Sequence, residues 1–248
     1  MKRTILLLTF ATMIMSCQIE RPTNVESFDA PQGGQVQITM IHHGSIALSY
    51  NGYHIFVDPV ANDHGTKIDY SNFPKADLIL VTHEHGDHLD PACIATLSKS
   101  DGTTFVLCNA ASKSKIKNAH IASNGDSITV NGAIPVKAVP AYNTTKGHTQ
   151  FHPKGNGNGY CLTLGGLHIY IAGDTEDIPE LKDLRDIDIA FLPANQPYTM
   201  TVNQCISAAK TIQPKVLIPY HLGNTNMEAI RQGLEDTSIE VHLHESLR

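Results

Sequence analysis

The chain has no tryptophan, no Cys-x-x-Cys pair, no Gly-x-Ser-x-Gly and no block of basic residues. Each absence removes a class. With a net charge of −6 and no clustered Lys or Arg, the electrostatic footprint of a nucleic-acid binder is missing. Without Gly-x-Ser-x-Gly there is no nucleophile elbow, so no covalent serine chemistry is called for. Cys93, Cys108, Cys161 and Cys205 are irregularly spaced in apolar or helical contexts. They read as buried free thiols rather than as a disulfide framework. The longest apolar run outside the body of the sequence, Ile5–Met15, is too short to span a bilayer stably.

What the sequence does have is histidine, 14 in 248 residues. Histidine is the commonest transition-metal ligand and the usual proton carrier near neutral pH. Three of them fall in one stretch, Val81-Thr82-His83-Glu84-His85-Gly86-Asp87-His88-Leu89-Asp90, directly behind the apolar run Leu78–Val81. In an extended strand end His83 and His85 point the same way, because side chains alternate. They can therefore share a metal, while Asp87 and His88 in the following turn face a second one. Burying so many polar groups without a metal would be expensive.

The N-terminus reads as export machinery. Lys2 and Arg3 precede the apolar run, which ends in Ile14-Met15-Ser16-Cys17. This is the pattern of a signal peptide, and its end resembles a bacterial lipobox. Residues 1–17 are thus expected to be a lipoprotein signal peptide ending at Cys17, the lipidation site. The protein is expected in the bacterial cell envelope, membrane-anchored through the two-chain attachment that holds firmly. Residues 18–35, polar and carrying Pro22, Pro31, Gly33 and Gly34, read as a flexible tether. Residues 36–248 are long enough for one sizeable core.

Within that body the same design occurs twice. Two β-rich segments flank Asn51-Gly52 and end at Asp58, and two more flank Gly165-Gly166 and end at Asp174. The likeness of YHIFVDP to LHIYIAGD suggests two related halves. Three further apolar cores, in ADLILVTHEH, IDIAFLPANQ and PKVLIPYHLG, read as strands covered on both faces with polar residues at their carboxyl ends. Helices are expected near Ala92–Ser98, Val202–Ile212 and Met227–Leu234, the first opened by Asp90-Pro91. Strands followed by helices, twice over, give an α/β fold built as a four-layer αββα sandwich.

Through His83-Glu84-His85-Gly86-Asp87-His88 the sequence resembles the metallo-β-lactamase fold superfamily, over Gln35 to His244. His152 in FHPKGNGNGY, Asp174 in AGDT and His221 in IPYHLG follow in the family's order. The likeness is strongest to single-domain metal-dependent hydrolases, and more distant to ascorbate-6-phosphate lactonase and N-acyl-phosphatidylethanolamine phospholipase D. It implies a first zinc on His83, His85 and His152 and a second on Asp87, His88 and His221, with Asp174 bridging. Mn²⁺ or Fe are the alternatives to two Zn²⁺. A hydroxide held between the metals would attack an ester, lactone, amide or phosphodiester bond of a small-molecule or lipid substrate, with Asp87 and His221 in the catalytic set.

Alternatives at individual residues stay open. His43 reads as a pocket, supporting or purely structural residue. Asp58 is expected to orient a ligand or anchor its loop. Tyr142 and Tyr198 read as lining the substrate mouth or as loop anchors, and Asn195 departs from the glycine-rich stretch expected there. Of His148 and His152, the latter is the expected ligand, because Pro153 holds its backbone extended. His148 is expected at the pocket mouth or in solvent. Two other readings of the whole chain remain, a non-catalytic lipid-anchored metal- or ligand-binding protein and a mono-iron thiol dioxygenase. Zinc β-lactamases with a Cys ligand at the second metal are disfavoured, since Asp174 holds the bridging position. Flavin-linked di-iron reductases are disfavoured by His85 and by chain length.

The lipobox generates the first prediction. Cys17→Ala should move the protein from the membrane to the soluble fraction of its bacterial host. Unchanged membrane partitioning, with an unmodified N-terminus in the wild type, would rule out the anchor.

Overall fold

The structure, a computed structural model, describes residues 24–63 and 65–248. Cys17 and the proposed signal peptide lie outside the described residues. In chain order, β1 (Val25–Asp29), β2 (Gln35–His42), β3 (Ser45–Tyr50) and β4 (Tyr53–Val57) form an antiparallel meander. A short ladder of β5 (Asn62–Asp63) and β6 (Thr66–Lys67) follows. Next come β7 (Leu78–Val81), α1 (Pro91–Leu97), β8 (Phe105–Cys108) and β9 (His120–Ile121), the strands added in parallel.

The second half repeats this plan. It runs β10 (Ser127–Val130), β11 (Ile134–Ala141), β12 (Gly157–Leu164), β13 (Leu167–Ile171), β14 (Ile189–Pro193), α2 (Val202–Ile212), β15 (Val216–Tyr220), α3 (Met227–Gln232) and β16 (Glu240–Val241). The sheets are ordered β1-β2-β3-β4-β7-β8-β9 and β10-β11-β12-β13-β14-β15-β16. In each, three antiparallel pairings are followed by three parallel ones. The duplication suggested by the two hairpins is therefore a property of the whole topology.

Local chemistry explains the elements. Asn51 and Gly52 have φ of 47° and 80°, and Gly165 and Gly166 have 58° and 88°. Two successive positive φ values mark the hairpin turn whose twist matches the flanking strands. The Asp90 carboxylate accepts from the Ala92 and Cys93 amides at the start of α1. Thr201 and Gln204 cap α2 reciprocally.

Three apolar clusters lie between four layers. Leu78 and Leu80 face the second sheet, whereas Ile79 and Val81 face Cys93, Ile94 and Leu97 of α1. Ile189 and Phe191 pack between the sheets, while Ala190 and Leu192 pack under α2 with Cys205 and Ala208. This alternation is why the apolar runs are unbroken: both faces of each strand are covered. The αββα sandwich is thus present as expected. Cys93, Cys108 and Cys205 are buried free thiols, and Cys161 is a half-buried one.

One boundary needs correction. The segment read as a tether contains β1, paired with β2 from Val25–Thr39 to Asp29–Gln35. Phe28 packs against the core between the sheets. The Gly33 and Gly34 that suggested a linker have φ of 94° and 77° and turn β1 into β2. Turn residues and linker residues have the same composition, and here the turn prevailed.

Glu26 of β1 also clips the two sheets together. Its carboxylate oxygens lie 2.7 Å from His242 Nδ1 and 2.6 Å from His244 Nε2, just beyond β16. Burial pushes the Glu26 carboxyl up, but hydrogen bonds from His244 and His242 outweigh it and hold the group below its ordinary 4.5. A lowered folded value means stability that is present above the ordinary 4.5 and lost as pH falls from there through the lower folded value. Glu26→Gln should cost about 1 kcal/mol at neutral pH, allowing for solvent screening. The difference from wild type should vanish on acidification below 4.5, as read by denaturant titration. An equal difference at all pH values would show that the clip is not ionic.

Candidate metal centre

The loops at the carboxyl ends of the central strands converge from both sheets. His83, His85, Asp87 and His88 follow β7, Asp58 follows β4 and His43 follows β2. From the other sheet, Asp174 follows β13, His221 follows β15, and His152 lies in the β11–β12 loop. A sandwich whose sheets share one orientation brings these ends together.

The imidazoles surround one carboxylate. Asp174 Oδ2 lies 3.2 Å from His152 Nε2, 3.3 Å from His221 Nε2 and 3.9 Å from His83 Nε2. Its Oδ1 lies 3.3 Å from His88 Nε2. Asp87 Oδ2 sits 3.5 Å from His221 Nε2, 3.7 Å from His43 Nε2 and 3.8 Å from His88 Nε2. His85 Nδ1 is 3.0 Å from His83 Nε2.

Three groups among the described residues have metal-ligand spacing: His83 with His85 and His152, His83 again with His88 and Asp174, and separately His43 with Asp87 and His221. All seven residues expected as ligands are therefore in one cluster. The grouping differs in two respects: His88, expected with Asp87 and His221, groups with His83 and Asp174, and His43, expected only near the pocket, approaches Asp87 and His221. Its ring lies 3.8 Å from that of His221, centroid to centroid, and its carbonyl accepts the His221 amide.

Whether these residues fit a metal is tested by their unmet polar atoms. His88 Nε2, His152 Nε2, His221 Nε2 and Asp174 Oδ1 are buried and make no hydrogen bond. Orphaned buried polar atoms are rare, and here they point at one another. The donor set, imidazole nitrogen and carboxylate oxygen, is what zinc accepts. Burial pushes Asp174 up, but His221, His88 and His152 outweigh it and hold the carboxyl well below its ordinary range. Asp87 is likewise held down, with His221 and His43 overcoming its burial. Burial keeps His83 and His221 low, favouring the neutral rings that can ligate.

A second layer of contacts sets the rings. Asp58, fully buried, holds His88 Nδ1 at 2.8 Å and takes both the amide and the hydroxyl of Thr82. The Tyr198 carbonyl is 3.0 Å from His152 Nδ1. Fixing the outer nitrogen leaves the inner one for a metal. Gly44 has no room for a side chain, because an added Cβ would lie 2.7 Å from His88 Cε1.

Several supporting residues were not identified from sequence. Glu84 accepts from Asn109 and Asn156, tying the motif loop to β8 and to the His152 loop. Glu176, fully buried, accepts the amides of Thr144 and Thr145. Glu84 lies inside the motif, yet only the fold brings its partners to it.

Asn195 and Tyr198 line the cavity beside the cluster, which measures about 450 Å³. Tyr142 does not line it. Its hydroxyl is 2.8 Å from Glu180 and 3.0 Å from Lys154, so it anchors a loop behind the wall. His148 lies against Glu176, at 3.4 Å, and is outside all three ligand groups. His152→Ala should therefore lose metal from the purified protein, whereas His148→Ala should keep the wild-type content. Metal counting on the two variants decides, and the reverse pattern would exchange their roles.

A family model for the β-lactamase superfamily domain matches residues 37–221. A UPF0173 metal-dependent hydrolase of Carboxydothermus hydrogenoformans is 30% identical over 75% of this chain and 84% of its own length. One from Methanopyrus kandleri is 26% identical over 84% of this chain and 95% of its own. Among solved structures, that of a candidate metal-dependent hydrolase from Parabacteroides distasonis is 50% identical, with a TM-score of 0.84, covering 89% of this chain and 98% of that one. The structure of a metallo hydrolase from Ignicoccus hospitalis, 22% identical with a TM-score of 0.68, covers 86% and 96% and shows the shared fold. With this fold, this cluster of ligand-type residues and these relatives, the chain belongs to the β-lactamase superfamily and is a metal-dependent hydrolase of the metallo-β-lactamase fold.

Proposed function

We propose that the enzyme works with two metal ions, zinc in preference to manganese or iron, on an ester, lactone, amide or phosphodiester bond of a small molecule. The observation that carries this reading is the set of buried, unbonded atoms on His88, His152, His221 and Asp174, all turned to one point. His83, His85 and His152 would hold one ion, and Asp87, His88 and His221 the other, with Asp174 between them. When bound, such a pair supplies a water nucleophile at neutral pH and positive charge for the developing oxyanion.

The chain's own part is positional. Asp58 and the Tyr198 carbonyl keep His88 and His152 from rotating, and Thr82, hydrogen-bonded to Asp58, sits 3.0 Å from His83 Nδ1. His43, packed on His221 and facing Asp87, steadies the second group. The group of His83, His85 and His152 alone would suit the mono-iron dioxygenase reading. The further ligand-type atoms of Asp87, His88 and His221 beyond Asp174 favour two ions. The relatives, named metal-dependent hydrolases, favour catalysis over simple metal binding.

The domain is proposed to sit at the bacterial envelope, held through lipidated Cys17. Support comes from the lipobox-like residues Ile14–Cys17. Because β1 opens at Val25, eight residues beyond Cys17, a fully extended chain would allow at most about 29 Å between anchor and domain, which would keep the enzyme close to the membrane surface.

Asp174→Ala tests the two-metal reading. The variant should lose at least one equivalent of metal and fall to background on a panel of ester, lactone, amide and phosphodiester substrates. Wild-type metal content with wild-type turnover would sink the assignment.

A further inference from the structure

We propose that Tyr198 and Phe151 form an aromatic platform for a flat, apolar group of the substrate, attached next to the bond that is cut. The proposal rests on the hydrolytic reading above and names the substrate class for the same site.

Three observations carry it. First, Tyr198 is one of only two large hydrophobic residues that are well exposed among those described, at 46%. It stands on the wall of the cavity that holds the cluster of ligand-type residues, and Phe151 stands beside it. The Phe151 and Tyr198 rings meet edge to face, with centroids 5.0 Å apart and planes at 70°. That geometry leaves aromatic surface available for a third flat group, and aromatic pairs favour it energetically.

Second, the platform is rigid. The Tyr198 amide donates to the Asn195 carbonyl, and the Tyr198 carbonyl takes the Asn143 side chain at 2.6 Å and faces His152 Nδ1. A ring carried on so constrained a backbone loses little freedom on binding, which is what makes tyrosine an effective contact residue. The same residue thus sets a ligand-type histidine with its main chain and offers its ring to whatever reaches that histidine.

Third, the charge pattern speaks against an anionic tail. Among the described residues the cavity wall carries no Lys or Arg, while it does carry Asp63, Asp87 and Asp174. A phosphate or carboxylate remote from the metals would find no cation there. An uncharged planar group meets no such penalty, and a cavity of about 450 Å³ suits a small molecule of this kind.

The test uses two metal-binding probes that differ only in the group in question, acetohydroxamate and benzohydroxamate. Their dissociation constants are measured by calorimetry on zinc-loaded wild type, Tyr198→Ala and Tyr198→Phe, after zinc content has been counted. The expected result is that benzohydroxamate binds wild type about tenfold more tightly than acetohydroxamate. That preference should largely disappear in Tyr198→Ala and persist in Tyr198→Phe, with acetohydroxamate binding alike in all three. Equal affinities in wild type, or a preference unchanged in Tyr198→Ala, would overturn the platform while leaving the metal reading intact. Failure of both probes to bind zinc-loaded protein would likewise overturn the platform alone, whereas failure of wild type to hold zinc would overturn the metal reading and the platform with it.

Discussion

The structure depends on how it keeps one carboxylate charged where water hardly reaches. Asp174 is 4% exposed, and an unpaired carboxylate at that depth would cost several kcal/mol. The fold answers by surrounding it with imidazoles from both sheets: His83 and His88 from one, His152 and His221 from the other. No single element could supply that shell. The cluster therefore needs two sheets stacked with their strand carboxyl ends at the same edge, and the duplicated topology produces that stacking. A buried carboxylate ringed by neutral imidazole nitrogens is also a donor set that a divalent metal ion takes.

Holding the shell in place strains the backbone locally. His43, Asp58 and His221 all have positive φ, at 51°, 44° and 51°. Residues with a Cβ adopt this region at a cost of about 1 kcal/mol or more each. All three lie in the site, and His43 and His221 are hydrogen-bonded to each other through the main chain. The strands behind them hold the strained turns in position: β15 is buried along its whole length, β4 over Ile55–Val57, and β2 on the face that meets the core. Stability stored in the sheets is in this way used to keep ligand-type side chains in a geometry that the loops alone would not retain.

How far this was legible in sequence follows from range. His83, His85, Asp87 and His88 stand within six residues, and the alternation of a strand end suffices to aim two of them at one point. The hairpins at Asn51-Gly52 and Gly165-Gly166 were legible because their turn type demands those residues. β1 was not, because Pro31, Gly33 and Gly34 look the same in a turn and in a linker, and only pairing with β2 distinguishes the two. The roles of Glu84, Asn109, Asn156 and Glu176 were illegible for a related reason. Each is a polar residue whose meaning lies in a partner 25 or more residues away. Tyr142 was left open between substrate mouth and loop anchor because an aromatic residue in a loop gives no indication of which side of the wall it will take. His43 was left undecided since its approach to Asp87 depends on a left-handed backbone that the neighbouring Gly44 does not reveal.

The duplication adds one more consequence. Asp58 follows β4 and Asp174 follows β13, and β4 and β13 occupy the same place in their sheets. The same topological position thus yields two buried aspartates with different tasks. Asp58 has all its near partners within its own sheet, taking the Thr82 amide and hydroxyl and His88 Nδ1. Asp174, set two residues further from its strand by Ala172 and Gly173, reaches across to the other sheet. Gly173 is needed for that reach, since its φ is 65° and an added Cβ would lie 2.7 Å from the Asn158 carbonyl. A turn that only glycine makes easily thus separates the aspartate that orients a histidine from the aspartate that stands between the two ligand groups. Two copies of one supersecondary unit become a supporting half and a central half through the length of a single loop.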